Sequence, residues 1–136
     1  MKSFRFQKLE VWHQARSLNK KIYELSRAFP THEAYGLTSQ IRRASISISS
    51  NIAEGAGRNS DVDFAHFLEI AYGSLMEVIS QLFIALDETY ITQAQFDEVT
   101  VASDIIASQL VALSKTLGRV SRAKFQQKLI ASRPLT

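Results

Sequence analysis

Apolar residues recur at intervals of three and four along most of the chain, and this spacing is typical of one face of an α-helix. Three such series predict helices over about residues 6–29, 61–89 and 93–117. Pro30 follows the first series, and proline cannot continue a helix because it lacks the amide hydrogen. The chain is therefore expected to be mainly helical.

Capping residues mark the ends of the later helices. Ser60 stands before the second series with Asp63 three residues on, a variant of the capping box in which Asp replaces Glu or Gln. Thr92 and Gln95 form the standard box before the next helix. Gly118 follows the last apolar position, where glycine commonly closes a helix.

The stretch SISISSNIAEGAG, residues 45–57, departs from this pattern. Its first five residues alternate polar and apolar side chains like a half-buried β-strand. A strand needs a hydrogen-bonded partner, and no other five-residue alternation exists here, so we predict a helix over about residues 35–56. The apolar positions of this helix are Leu37, Ile41, Ala44, Ile48 and Ile52.

The helical interpretation separates two isoleucines that a strand would place together. Two residues correspond to about 200° of rotation along a helix, so Ile46 faces outward if Ile48 belongs to the core. Other apolar residues also lie away from the main series, which indicates subunit contacts. The candidate interface residues are Ile46, Ala53, Phe67, Ile70 and Phe83. A broad core face within a small bundle is the alternative.

Four helices joined by short connections can each run antiparallel to the one before. This order predicts an all-α, up-down antiparallel four-helix bundle. The bundle is expected to occupy residues 1–118 as one domain. Residues 119–136 are expected to form a basic tail, whose weak apolar pattern and Pro134 favour a mobile end; an extension of the last helix is the alternative.

Composition narrows the class of protein. The 136 residues include no cysteine, which excludes disulfides and cysteine-ligated zinc. The longest uninterrupted apolar run, residues 82–86, is far shorter than the roughly 20 residues of a membrane-spanning helix. The N-terminal segment lacks the apolar core of a signal peptide. We expect a cytoplasmic protein without a membrane partner.

Charge is segregated along the chain. Residues 1–58 hold ten Lys and Arg against four Asp and Glu, whereas residues 59–118 hold one Lys against nine acids. The tail adds five basic residues and no acid. Such segregation gives one surface an attraction for polyanions, or lets a basic side meet the acidic side of another subunit. Pairing of basic with acidic helices within one chain is a third interpretation.

Candidate catalytic and metal chemistry is sparse. Glu10 and His13 have the Glu-x-x-His spacing of di-iron bundles, but no second such pair exists and both lie off the apolar series. No metal or other cofactor is therefore expected. Gly55 and Gly57 fit a phosphate-binding loop only if a strand precedes them, so a helix end followed by a turn is preferred.

Polar residues near the end of the second helix and on the third are expected to form a buried structural network, because buried charges must be paired. They are Asn51, Glu54, Arg58, Ser74 and Glu77. An enzymatic role for Glu54 is the alternative. It requires an accessible pocket and a carboxylate with a perturbed pKa.

Clustered basic residues on the first two helices are candidates for nucleic-acid binding, since phosphate contacts need no motif beyond grouped Lys and Arg. They are Lys8, Arg16, Lys20, Lys21, Arg27, Arg42 and Arg43. Trp12 and Tyr23 lie among them. A solvated helix face is the alternative.

Four runs of residues carry a resemblance to a known family. They are FRFQKLEVWHQA at 4–15, GLTSQIRRA at 36–44, SNIAEG at 50–55 and GSLME at 73–77. Over about residues 4–118 the chain resembles the four-helix-bundle proteins encoded by intervening sequences in bacterial 23S ribosomal RNA genes.

The resemblance implies a bundle that assembles into a ring-like homopentamer and has no established enzymatic activity. The family is distantly similar to the accessory protein of diversity-generating retroelements, a basic pentameric barrel that binds nucleic acid and a reverse transcriptase. No catalytic residue is implied, and we interpret the residues that match the family's pattern as mainly structural. They are Arg42, Arg43, Asn51, Glu54, Gly55, Arg58, Ser74 and Glu77.

We therefore expect a non-enzymatic, self-assembling bundle that binds RNA or DNA through the basic surface of its first two helices. The alternative is a protein-interaction scaffold whose basic and acidic faces serve subunit assembly or a protein partner.

Overall fold

The structure, a computed structural model, describes residues 3–131, with side chains through residue 118 and at Gln127. Within that part of the chain it contains four α-helices and no strand. They are α1 (Glu10–Ser26), α2 (Leu37–Ala56), α3 (Asp61–Asp87) and α4 (Gln93–Ala131). Short 3-10 helices, Arg5–Lys8 and Thr31–Glu33, precede α1 and α2. The prediction of an all-α fold is confirmed.

The helices pack as a bundle in which α1 contacts α2, α2 contacts α3, α3 contacts α4, and α4 returns to α1. Each helix therefore lies beside its two neighbours in an up-down arrangement. The predicted apolar series point inward and form one continuous core. Its largest fully buried side chains include Phe64, Leu18, Ile22, Ile41, Leu68, Leu75, Leu82 and Ile106.

The SISIS segment is helical, as predicted. It lies inside α2, where Ile48 is completely buried and Ile46 is 42% exposed. The two side chains point to different sides of the helix, which is the outcome that helical rotation requires. The alternation of polar and apolar residues in this segment therefore does not indicate an extended backbone.

α2 and α3 approach each other closely at Gly55. This glycine is buried inside α2, and a Cβ atom there would lie 2.7 Å from Phe67 Cβ and 3.0 Å from Phe64 Cδ1. The C-cap is Gly57, which has a right-handed backbone and donates its N–H to the Ala53 carbonyl at 3.2 Å. α2 ends at the predicted residue. Gly55, however, is required for the close contact between α2 and α3 and is not part of the turn that follows α2.

Hydrogen bonds at the start of α3 and α4 confirm the capping boxes as start signals. The Ser60 hydroxyl accepts from the Asp63 amide at 3.1 Å. The Thr92 hydroxyl accepts from the Gln95 amide at 3.1 Å, and the Thr92 amide donates to Gln95 Oε1 at 2.9 Å. These bonds satisfy amides that have no partner within the helix.

The first helix is shorter than the predicted range of 6–29. Leu9 has an extended backbone (φ −90°, ψ 120°), which separates the Arg5–Lys8 turn from α1. The Phe4 amide donates to Gln7 Oε1 at 2.6 Å and closes that turn. The Phe6 ring packs on Trp12 with ring centroids 4.8 Å apart, so the segment folds back onto α1 instead of extending it.

The predicted end of the fourth helix at residue 117 is wrong, because α4 continues to Ala131. Among the described glycines none has a positive φ, so Gly118 is an ordinary helical residue. Glycine permits the left-handed cap but does not impose it. The mobility of the tail stays a prediction, and residues 132–136 lie outside the described part of the chain.

α3 is long and apolar enough to span a membrane when judged by length and composition alone, with a mean hydropathy of 1.4 over its best window. A long helix that contributes many side chains to a hydrophobic core has the same properties. In this structure the apolar residues Phe64, Leu68, Leu75 and Leu82 of α3 are fully buried in the core between helices.

Two serines buried in the core differ in their hydrogen bonding. Ser45 Oγ has no partner among the described residues, whereas Ser103 Oγ donates to the Val99 carbonyl at 2.8 Å. We expect Ser45→Ala to raise the free energy of unfolding by about 1 kcal/mol, because it removes an unsatisfied hydroxyl and improves helix propensity. Urea unfolding followed by circular dichroism measures the change.

Ser103→Ala is the matched control. The lost hydrogen bond and the gained helix propensity roughly cancel there, so its free energy of unfolding should change by less than about 0.5 kcal/mol. A Ser45→Ala protein that is less stable than the Ser103→Ala protein would contradict the prediction.

Candidate nucleic-acid interface

Three of the candidate basic residues form a stripe on the outer side of α1. Arg16, Lys20 and Arg27 are exposed, and their spacing of four and seven residues places them on one face of the helix. This face lies opposite the buried Leu18 and Ile22. The stripe therefore presents positive charge to solvent along the length of α1.

Arg42 is held at the junction of α1 and α2. Its Nε donates to Ser26 Oγ at 2.8 Å, and its guanidinium lies 4.7 Å from the centroid of the Tyr23 ring. A cation at this distance from an aromatic face is attracted to it. These contacts fix Arg42 in place, while its two terminal nitrogens donate to no acceptor among the described residues.

Arg42 and Arg43 line an open cleft between α1 and α2 with a volume of about 460 Å³. Arg43 is exposed and forms no ion pair within the described part of the chain. The remaining lining residues are Tyr23, Ala34, Thr38, Ser39 and Ile46. The cleft thus combines two guanidinium groups, the hydroxyls of Thr38 and Ser39, and the phenol ring of Tyr23.

Two of the basic candidates lie outside this surface. Lys8 is exposed in the Arg5–Lys8 turn before α1. Lys21 is half-buried on the side of α1 that faces α4, where its Nζ lies 3.5 Å from Glu98 Oε1. Both side chains of this ion pair are partly solvated, so the pair contributes little to stability. Lys21 is therefore an α1–α4 contact, which spacing along the chain does not reveal.

The Lys21–Glu98 pair is the single ion pair between helices among the residues described. Basic α1 and α2 do lie beside acidic α4 and α3, but direct ion pairing between helices is limited to this one contact among the described residues. Asp97 and Asp104 on α4 are exposed, as are Arg16 and Lys20 on α1. The basic and acidic surfaces remain open to partners.

Exposed or half-buried aromatic rings accompany the basic groups. The Arg16 guanidinium lies 5.6 Å from the centroid of the Trp12 ring. Tyr35, in the loop before α2, is completely exposed, and its neighbour Ala34 lines the cleft. Tyr35 was not among the predicted site residues, because it was placed in the first turn of the predicted helix over residues 35–56, whereas α2 begins at Leu37. An aromatic residue in a short loop seven positions before an Arg-Arg pair is the available signal.

The predicted polar network divides into separate parts. Asn51 Nδ2 donates to the carbonyl and the hydroxyl of Ser47 at 2.8 and 2.9 Å, and Ser74 Oγ donates to Ser47 Oγ at 3.0 Å. This chain of bonds joins α2 to α3 through half-buried groups. Ser47 was missed, although its position one turn before Asn51 permits the contact.

The charged members of that set are exposed, so their predicted burial is wrong. Glu54 and Arg58 form an ion pair at 3.1 Å one helical turn apart on the surface. The Arg58 guanidinium also lies 4.7 Å from the centroid of the Phe67 ring. Glu77 is exposed and forms no ion pair with a described residue.

The candidate interface residues do not share one face. Ile46 and Ala53 lie on the outer side of α2, and Ile46 also lines the cleft. Phe67 is half-buried against Gly55. Ile70 is 40% exposed and Phe83 is 52% exposed, but they lie on different sides of α3 because thirteen residues correspond to about 220° of rotation. Phe83 packs on Phe96 of α4 with ring centroids 4.8 Å apart.

The side chains with metal-ligand spacing make local contacts instead. His13 Nε2 lies 2.6 Å from the Gln7 carbonyl, and Glu10 Oε1 accepts from Gln14 Nε2 at 2.9 Å. Across the described residues, no three His, Asp or Glu side chains come together as ligands for a metal ion.

A polar cluster joins the loop before α2 to the loop before α4. The Tyr90 hydroxyl donates to Glu33 Oε2 at 3.0 Å and lies 3.3 Å from His32 Nε2. Desolvation, the hydrogen bond to the Glu33 carboxylate and its charge raise the pKa of Tyr90. Glu33 also accepts from the Leu37 amide in the first turn of α2. The cluster connects two loops at one end of the bundle.

Comparison with known proteins confirms the resemblance carried by the motifs. The sequence model of the 23S rRNA-intervening sequence protein family matches residues 7–112. A crystal structure from Bacteroides thetaiotaomicron, of a protein with unknown function from the S23 ribosomal protein family, is similar with a TM-score of 0.72 and 25% identity. The match covers 77% of this chain and 98% of that chain. No curated protein matches the chain. The chain belongs to the 23S rRNA-intervening sequence protein family.

Proposed function

We propose that this protein is a non-enzymatic bundle that binds RNA or DNA through the outer face of α1 and the first half of α2. The observation that carries the proposal is the basic surface formed by the exposed Arg16, Lys20, Arg27 and Arg43 together with the half-buried Arg42, which contains no ion pair between described residues. Clustered cations of this kind attract the phosphate backbone without a sequence motif. The distant similarity to a nucleic-acid-binding accessory protein supports the same function.

Assembly is the second part of the proposal. We propose a cytoplasmic homopentamer, as the family resemblance implies, in which outward apolar residues such as Ile46 and Ile70 contribute subunit contacts. Both side chains are two-fifths exposed in the single chain, and burying them in a subunit interface would be favourable. A ring of five subunits would repeat the basic surface and raise its affinity for a long polyanion through multivalency.

Reversal of three charges tests nucleic-acid binding. The triple variant carries Arg16→Glu, Lys20→Glu and Arg43→Glu. We expect its affinity for fluorescein-labelled RNA or DNA at low salt to be at least about tenfold lower than that of the unmodified protein. The slope of log K against log salt should also decrease in magnitude by about 2 to 3, because three phosphate contacts are lost. Fluorescence anisotropy measures both quantities. Lys21 and Arg42 are left unchanged because each has a partner within the fold.

Lys115→Glu is the matched control for this experiment. Lys115 is exposed in the groove between α3 and α4, away from the proposed surface. Its reversal should change the affinity by less than about twofold at moderate salt, since exposed charges are screened beyond about 10 Å. If the triple variant and Lys115→Glu lose the same affinity per reversed charge, the nucleic acid is attracted by the net charge of the protein and not by this surface. Absence of binding by the unmodified protein at low salt would reject the proposed function.

The scaffold function is the second candidate, because Asp97 and Asp104 expose negative charge on α4 while α1 exposes positive charge. A head-to-tail contact between these faces would close into a ring. It predicts that the same triple reversal lowers the molar mass measured by light scattering. A triple variant with unchanged mass and reduced nucleic-acid affinity favours the binding function over the scaffold.

A further inference from the structure

The cleft between α1 and α2 differs from the rest of the basic surface in its mixture of groups. Arg42 and Arg43 line it, together with the hydroxyls of Thr38 and Ser39. Neither hydroxyl forms a hydrogen bond with another described residue, although both side chains are half-buried. The cleft therefore offers several donors with unused capacity on one concave surface.

Arg42 is prepared for anion binding by its contacts within the fold. The hydrogen bond from Nε to Ser26 and the Tyr23 ring at 4.7 Å restrict the rotamers of this side chain. Its terminal nitrogens remain available. A guanidinium whose position is already fixed loses less conformational entropy when it binds a phosphate.

Tyr35 places an exposed aromatic ring one residue along the chain from the lining of the cleft. It directly follows Ala34, which lines the cleft, and its side chain is 100% exposed. Because the Tyr35 side chain is fully exposed, it does not contribute to the hydrophobic core or to the stability that burial provides. Aromatic rings beside a basic groove are the arrangement with which proteins bind single-stranded nucleic acid, because every base has a face that can stack.

We infer that this cleft binds single-stranded nucleic acid, with a backbone phosphate held by Arg42 and Arg43 and a neighbouring base stacked on Tyr35. The inference rests on the proposed function and adds the strandedness of the ligand. Bases within a duplex stack on one another, so their faces are closed to a protein side chain. A duplex can engage the exposed charges of α1 but not the Tyr35 ring.

Substitution of Tyr35 separates stacking from charge. We expect Tyr35→Ala to weaken binding of a labelled single-stranded oligonucleotide about tenfold and to change binding of the duplex of the same sequence by less than about twofold. Tyr35→Trp should retain the single-strand affinity, and single strands should quench its tryptophan emission more than that of the unmodified protein, in which Trp12 is the one tryptophan. Anisotropy and tryptophan emission are the measurements.

Tyr72→Ala is the matched control, because Tyr72 is an exposed aromatic residue on α3 in the groove that faces α4. It should bind single strands as the unmodified protein does. Thermal unfolding followed by circular dichroism checks that Tyr35→Ala leaves the fold intact, as its full exposure predicts.

The possible results distinguish this inference from the proposed function. Equal losses for single strand and duplex, or no loss for either, overturn the inference while binding itself supports the proposed function. A lower molar mass of Tyr35→Ala with unchanged affinity also overturns it, because Tyr35 would then belong to a protein contact. If the unmodified protein binds neither ligand at low salt, the proposed function fails and the inference with it.

Discussion

Gly55→Ala is expected to lower the free energy of unfolding by about 2 kcal/mol, although alanine is the better helix former. The added methyl group would lie 2.7 Å from Phe67 Cβ and 3.0 Å from Phe64 Cδ1. A Cβ atom moves only with its backbone, and Phe64 is 1% exposed and packed in the core. The crowding can therefore be relieved only if α2 and α3 move apart.

Gly73→Ala is the control that isolates helix propensity. Gly73 is exposed in the middle of α3, and a Cβ atom there would meet nothing within 4 Å. This substitution should raise the free energy of unfolding by about 0.5–1 kcal/mol. Urea unfolding at one fixed protein concentration measures both variants, since subunit association would otherwise change the apparent stability. Two shifts of the same sign would contradict the close approach at Gly55.

The core was predictable because helical rotation alone decides which side chains share a face. Val11, Ala15, Leu18 and Ile22 follow steps of four and three, and all four are buried. Helix starts were predictable for a similar reason, since a capping residue and its partner lie three residues apart. Both signals are local, because each depends only on residues within one helix and its cap.

Features that depend on contacts between helices were missed. The sequence around Gly55 shows a glycine near a helix end, and only the position of Phe67 on the next helix reveals that the glycine is needed for packing. The position of Lys21 in the sequence predicts a surface residue, and only the structure shows that it pairs with Glu98 of α4. Gly118 is a residue type that often ends a helix, yet α4 continues through it to Ala131.

The charged residues of the candidate site were predictable from the sequence, but their arrangement in space was not. Arg16, Lys20 and Arg43 were found from charge clustering, and they are exposed as a binding surface requires. Their relation to Tyr35 was not predictable, because the loop that carries this residue is positioned by contacts remote in sequence. Glu33 in that loop, for example, accepts a hydrogen bond from Tyr90 before α4. The sequence thus predicted the charge of the surface and two of its aromatic residues, Trp12 and Tyr23, whereas the cleft and the exposure of Tyr35 follow from the fold.

Ile48→Ala is expected to lower the free energy of unfolding by about 3 kcal/mol, whereas Ile46→Ala should lower it by less than about 1 kcal/mol. Ile48 is completely buried, so its truncation leaves a cavity among the side chains of the core. Ile46 is 42% exposed, and the shortened side chain is replaced mainly by water. The gain in helix propensity is the same in both variants and cancels in the comparison.

A further substitution, Ile46→Asp, distinguishes a role of Ile46 in subunit assembly from a role at the rim of the cleft. Light scattering of Ile46→Asp measures assembly, because a carboxylate within an apolar subunit contact must be desolvated without a partner. If Ile46 contributes to assembly, the molar mass of this variant should fall while its helix content at 222 nm is unchanged. A variant with the original mass would assign Ile46 to the rim of the nucleic-acid cleft alone. Equal destabilisation by Ile46→Ala and Ile48→Ala would instead contradict the helix, since only a strand places both side chains on one face.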